Sequence, residues 1–181
     1  IARKLAERLG IKYYDRDIVD MTAKKMNMRA SDIVELEESV QGGFFRMKYP
    51  LGMGTGNIRD QIFENQKTII KELAEKESCV IVGRCADYAL AENPDCINVF
   101  IHADINERIK TVSKRLNVTE NKAKDIIQKR DKQRASYYNY YTSKKWGDST
   151  SYHLTLDASK LGLDGCVEMI LKYREILDAA K

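Results

Sequence analysis

The chain has 181 residues, 43% of them hydrophobic and 32% charged, with two prolines and ten glycines. This composition excludes a disordered chain, a collagen-like repeat and a linker-rich array, and no apolar run approaches the roughly 18 residues of a membrane span. Lys and Arg outnumber Asp and Glu by 31 to 27, and the resulting +4 is too mild to argue for nucleic acid.

Residues 1–9 place Ile1, Leu5 and Leu9 four apart, on one face of a helix that Gly10 stops. Residues 11–14 read as a short strand ending at Asp15, and a helix follows over residues 17–28. Ser31 is the expected N-cap of a second helix over 32–40. Residues 41–56 hold five of the ten glycines and read as a loop. A long helix starts near Asn57, with Ile58, Ile62, Ile69, Ile70 and Leu73 as its apolar stripe. Residues 78–82 (SCVIV) and 96–101 (CINVFI) are continuous apolar runs, the pattern of strands covered on both faces. A short helix to Ala91 and an Asn93-Pro94 turn lie between them. Helices over 104–115 and 119–138 come next, the second capped by Thr119. A loop with Trp146-Gly147-Asp148, a strand over 152–156 and a helix over 163–177 close the chain. Strands alternating with helices predict an α/β fold: one parallel sheet covered by helices, interrupted by helical inserts at about 16–77 and 117–150 in a single domain.

Charge is unevenly placed. Residues 107–145 carry twelve Lys or Arg and four Asp or Glu, a net of +8, so the remainder sums to −4. The segment is either a solvated basic face or a site for a polyanion. Cys79, Cys85, Cys96 and Cys166 form no CxxC or His/Cys cluster, so no zinc site is expected and no metal ligand is assigned. Cys79 and Cys96 read as buried, reduced thiols, which suits the cytoplasm.

In open parallel sheets, ligands bind beyond the carboxyl ends of strands. Asp15, Arg84, His102, Asp104 and Asp157 stand at such ends. Arg84 is either an anion clamp, its guanidinium shaped for bidentate phosphate contact, or a structural arginine capping a helix or pairing with Asp87. Arg130 and Arg134, four apart on one helical face and flanked by Asp131 and Gln133, are either solvated or are lid arginines for phosphoryl transfer. Tyr137, Tyr138, Tyr140 and Tyr141 pack a helical hairpin or stack bases of a single strand. His102 and His153 read as ordinary core or surface histidines.

Four collinear stretches carry a resemblance: IARKLAERLGIKYYD, CVIVGRCADYALAENPDCINVFIHADINERI, KRDKQRASYYNYYTSKKWGD and YHLTLDASKLGLDGCVEMI. In these the chain resembles the cytidylate kinase-like family of nucleoside monophosphate kinases, which have the P-loop fold. Residues 29–60 match poorly. The resemblance implies transfer of the ATP γ-phosphoryl group, with Mg²⁺, to a pyrimidine monophosphate such as CMP or dCMP. It implies that Arg84 contacts the acceptor monophosphate and that Asp15 and Asp104 lie on the substrate side. It implies that Arg108 lies toward the donor nucleotide, and that Arg130, with Arg134 similarly placed, bridges donor and acceptor phosphates. Small nucleotides are the implied partners; nucleic acid and membrane are not expected. Residues 16–77 would be the acceptor-binding insert and 117–150 the lid.

The sequence departs from the family pattern in two places that concern the base: His102 stands where an aspartate follows the strand, and Cys-Ala-Asp follows Arg84. No GxxxxGK[ST] occurs in residues 1–181, and the phosphate loop is expected upstream of Ile1. The glycines at 52–56 precede a helix but follow no strand, so they are a poor substitute. Two other readings remain: a phosphotransferase of this fold acting on another small acceptor, and a nucleotide-binding module without turnover.

Overall fold

Among the described residues every strand is three or four residues long, and helices carry most of the chain. The computed structural model describes residues 1–38 and 55–180. In chain order the elements are α1 (Ala2–Leu9), β1 (Lys12–Tyr14), α2 (Asp17–Met26), α3 (Ala30–Glu38), α4 (Thr55–Lys76), β2 (Cys79–Ile81), α5 (Ala86–Ala89), β3 (Val99–His102), α6 (Ile105–Leu116), α7 (Glu120–Thr142), β4 (Leu154–Asp157) and α8 (Ala158–Ala179). Gly10 takes the left-handed conformation (φ 64°) that ends α1, as the sequence predicts.

The strands pair as two separate parallel ladders. β1 lies on β2 with Tyr13 opposite Val80, and β3 lies on β4 with Phe100 opposite Thr155. This corrects the expectation of one continuous sheet: among the described residues β2 and β3 exchange no ladder. A two-stranded ladder is all edge, which is why Cys79, Val80 and Ile81 are only half-buried and the doubly covered strand predicted there is not seen. The ladders nevertheless share a core. Val80 of β2 packs with Val99, Ile101, Leu154 and Leu156 of the other ladder, beneath Leu5 and Leu9 of α1 and Cys166, Val167 and Ile170 of α8.

Two further clusters seat the helical insert. Val19 and Ala23 of α2, Ile33 and Leu36 of α3, and Ile58 and Ile62 of α4 form the first. Ile69, Ile70 and Leu73 continue the α4 stripe against Ile18 and Ala89, joining the insert to the first ladder. All five stripe residues predicted for α4 are 9% exposed or less. Replacing fully buried Ile62 or Ile70 by Ala should cost about 2–5 kcal/mol.

Smaller differences have local causes. α3 begins at Ala30, so Ser31 sits inside its first turn, and the Arg29 carbonyl accepts from Asp32 and Ile33 N–H groups instead. α8 contains one non-helical residue, Gly162 (φ 67°, ψ 179°), so the predicted helix from Leu163 is preceded by a short turn. The glycine-rich segment lies outside the described residues up to position 54, while Thr55 and Gly56 already belong to α4. Cys79 and Cys96 are half-buried rather than buried; Cys85 and Cys166 are the enclosed thiols, and all four are unbridged.

Candidate functional site

The turn after β2 is left-handed at three successive residues: Gly83 (φ 74°), Arg84 (φ 56°) and Cys85 (φ 52°). Gly83 adopts this freely, but each residue with a Cβ loses roughly 1–2 kcal/mol there. Two anchors hold it. Cys85 is 5% exposed, packed with Phe63 and Tyr138, and its burial first, then Asp87, push the thiol up to about 12. Arg84 Nη1 donates to Glu37 Oε2 in an ion pair between the turn and α3.

Glu37 is held at its other oxygen. Gln66 Nε2, on α4, donates to Glu37 Oε1 at 2.6 Å, and the Tyr137 hydroxyl, on α7, donates to Gln66 Oε1 at 3.2 Å. Gln66 is wholly buried. Burial first, then the Glu37 charge, raise the Tyr137 hydroxyl far above its ordinary value, so it remains a donor.

α7 is started by Thr119, whose hydroxyl accepts from Lys122 N–H at 3.3 Å. Its tyrosines pack. Tyr141 stacks on Phe63 with ring centroids 4.0 Å apart, Tyr137 meets Phe63 edge-on, and the Tyr138 hydroxyl donates to Asp87 Oδ2 at 2.6 Å. Tyr140, 61% exposed, is the outermost of these four and meets only the Tyr141 ring, edge-on at 4.8 Å, among the described aromatic residues. Asp87 therefore serves Tyr138, and Arg84 takes Glu37 rather than Asp87.

Helical geometry of about 100° per residue places Arg130, Arg134, Tyr137 and Tyr141 within an arc of about 60°. The arginines thus share the side of α7 that meets α4. On one flank Gln133 Nε2 donates to the Glu38 carbonyl of α3 at 3.3 Å. On the other, Asp131 accepts both Nη groups of Arg108 on α6, at 2.7 and 2.8 Å, and lies 3.8 Å from Arg134. Arg130 is exposed and has no ion-pair or hydrogen-bond partner among the described residues.

The remaining strand ends are stitched to each other. Asp104 caps α6, accepting from Asn106 N–H at 2.8 Å and Glu107 N–H at 3.4 Å, while its own N–H donates to Ser159 Oγ at 2.6 Å. Asp157 caps α8 through Ser159 N–H at 2.8 Å; that bond, the largest influence, lowers its carboxyl below the usual range. Exposed His102 lies opposite Asp157 in the ladder. Asp15 is half-buried beyond β1 and accepts from the Tyr13 hydroxyl at 3.1 Å.

This arrangement can be set beside known proteins. The family model of the cytidylate kinase-like family matches residues 1–160. The chain belongs to the cytidylate kinase-like family. A crystal structure of an uncharacterized protein from Eubacterium ventriosum is similar, at 34% identity and a TM-score of 0.73, with 96% of this chain and 89% of that one covered. No curated protein matches the chain.

Of the residues that the resemblance assigned in this family member, Arg108 and Arg134 come together on Asp131. Arg84 is joined to the insert and to α7, and Arg130 shares the Arg134 face. Asp104 is engaged as a helix cap, and Asp15 is tied only to its own neighbourhood. Sequence reading missed Glu37, Gln66 and Asp131 as partners. Asp131 was visible between the two arginines; nothing at Glu37 distinguished it from the other acids of α3. Among the described residues no group of three or more His, Cys, Asp or Glu is placed to hold a metal ion, and no helix is long and apolar enough to cross a membrane.

Proposed function

We propose that the protein is an ATP-dependent nucleoside monophosphate kinase whose acceptor is a pyrimidine monophosphate, CMP or dCMP. The observation that carries the reading is the placing of Arg130 and Arg134 on the α7 face that meets the insert, between the ties to α3 and α6. Arginines so placed can meet charge that develops on a transferring phosphoryl group, where catalysis consists mainly of positioning and electrostatic stabilisation. Arg84, beyond β2, would grip the acceptor phosphate. Arg108, already bidentate to Asp131, would present α6 to the donor. Asp15 and Asp104 lie on the substrate side of the strand ends in this reading.

ATP fits a site rich in guanidinium groups. Mg²⁺ fits chiefly as a partner of the donor phosphates, since it keeps waters and takes few protein ligands; when bound it neutralises phosphate charge. Residues 16–77 act as the acceptor insert and 117–150 as the lid.

The test is diphosphate formation from ATP with each nucleoside monophosphate in turn. Preferential use of CMP or dCMP is expected. Transfer only to a different small acceptor would move the assignment to another phosphotransferase. Nucleotide binding without transfer to any acceptor would make the protein a binding module.

A further inference from the structure

We propose that Glu37 is a positioning residue, which sets the Arg84 guanidinium for the acceptor phosphate, and that Gln66 and Tyr137 tie this setting to the lid helix. The inference rests on the function proposed above and extends it to a side chain that no motif marked.

Four residues from four parts of the fold form one line. Arg84 Nη1 donates to Glu37 Oε2, Gln66 Nε2 to Glu37 Oε1, and the Tyr137 hydroxyl to Gln66 Oε1. Donors converge on the Glu37 carboxylate from both sides. Gln66 uses its amide nitrogen toward the carboxylate and its oxygen toward the tyrosine; flipping the amide would turn its oxygen on the carboxylate, so Glu37 fixes the orientation. Tyr137 stays protonated, so its hydroxyl remains available to donate to Gln66 Oε1. The Glu37 side chain is 8% exposed and Gln66 is wholly buried. A carboxylate enclosed in this way cannot follow a wandering cation; leaving it unpaired would be costly, so the cation conforms to it. The contact uses one Nη of Arg84. Its Nε and other Nη make no hydrogen bond among the described residues, which leaves a two-donor edge of the fork for an oxyanion. Tyr137 also lies seven residues from Arg130 on the same α7 face, so the grip on the acceptor and the transfer arginine are referred to one helix.

Two measurements test this. In steady-state kinetics, Glu37→Gln should raise the acceptor KM about tenfold, the loss expected for a charge-assisted contact, with the ATP KM unchanged and kcat little affected. Tyr137→Phe should act in the same direction and more weakly. Equal losses toward both substrates would reduce Glu37 to a structural role. A lower acceptor KM in Glu37→Gln would make it a competitor for Arg84, and either result overturns the proposal. The second measurement needs no turnover. In protein labelled with ¹⁵N-arginine, the Arg84 Nε–H signal, assigned by its loss in Arg84→Lys, should be sharp in the native chain and broadened in Tyr137→Phe. An unchanged signal in Tyr137→Phe overturns the coupling even if Glu37→Gln fails to fold. A native protein that phosphorylates no nucleotide overturns the kinase reading alone, and the arginine signal still decides the relay.

Discussion

Asp131 on α7 accepts both guanidinium branches of Arg108 on α6, at 2.7 and 2.8 Å, and stands 3.8 Å from Arg134. One carboxylate therefore organises two cations from different helices. The pair is about one-third and one-quarter exposed, and bidentate geometry places it at the upper end of the range for surface ion pairs. We expect Asp131→Asn to cost about 1 kcal/mol, read as a lower urea midpoint. The cost should shrink in 1 M salt. A salt-independent loss would mean that shape, not charge, holds α6 to α7.

Arg130 offers the sharpest test of the proposed reaction. It has no partner to lose among the described residues, so its removal should leave the fold intact. Arg130→Ala should keep the native melting temperature and the substrate KM values while kcat falls about a hundredfold or more, as expected for a group that acts on transition-state charge. An unchanged kcat would remove Arg130 from the mechanism.

Gly147 follows Trp146 in the loop after α7 and has a φ of +78°. A Cβ there would lie 3.1 Å from Phe100 Cζ. The ring cannot easily yield, because Trp146 meets it edge-on at 5.5 Å and Tyr152 lies at 5.0 Å. Gly10 shares the backbone conformation, φ +64°, but has open space where a Cβ would go. Gly147→Ala should thus destabilise by about 2–3 kcal/mol and Gly10→Ala by about 1 kcal/mol. Thermal melts of the two variants decide this; equal shifts would mean that Phe100 moves aside without cost.

Asp157 gives a pH dependence with a definite sign. The Ser159 N–H holds its carboxyl below the usual carboxylate range. A folded value below the unfolded one, about 3.9 for Asp, means that the carboxylate's contribution is fully present above about pH 4. It is lost as pH falls through the folded value. The urea midpoints of native protein and Asp157→Ala should therefore differ at pH 7, and the gap should narrow as pH falls below about 4. A gap that does not narrow on acidification would assign the effect to the side chain's shape.

Much of the fold was legible because its signals are local. Gly10, Thr119 and the α4 stripe each depend on neighbours within a turn or two, and each appears where periodicity and capping chemistry place it. Asp104 shows how one residue can carry two signals. Its place after a strand suggested a substrate contact, and its place before a helix makes it a cap. Arg84 was legible from the strand it follows. Its partner was not, because Glu37 lies 47 residues away and α3 offers several acids with the same local pattern. The split of the sheet was equally hidden: apolar runs show that strands exist, but hydrogen-bond pairing between them leaves no mark in either run.

Finally, α7 is a 23-residue helix held through its middle, from residue 131 to 138, by the Asp131–Arg108, Gln133–Glu38, Tyr137–Gln66 and Tyr138–Asp87 contacts. Such a helix serves as a ruler more than as an arm. The seven residues from Arg130 to Tyr137 set an axial interval of about 10 Å that side-chain rotation can trim but not abolish. Arg130 can therefore change its distance from the Glu37–Gln66–Tyr137 line only by turning its own side chain, not by sliding along the helix.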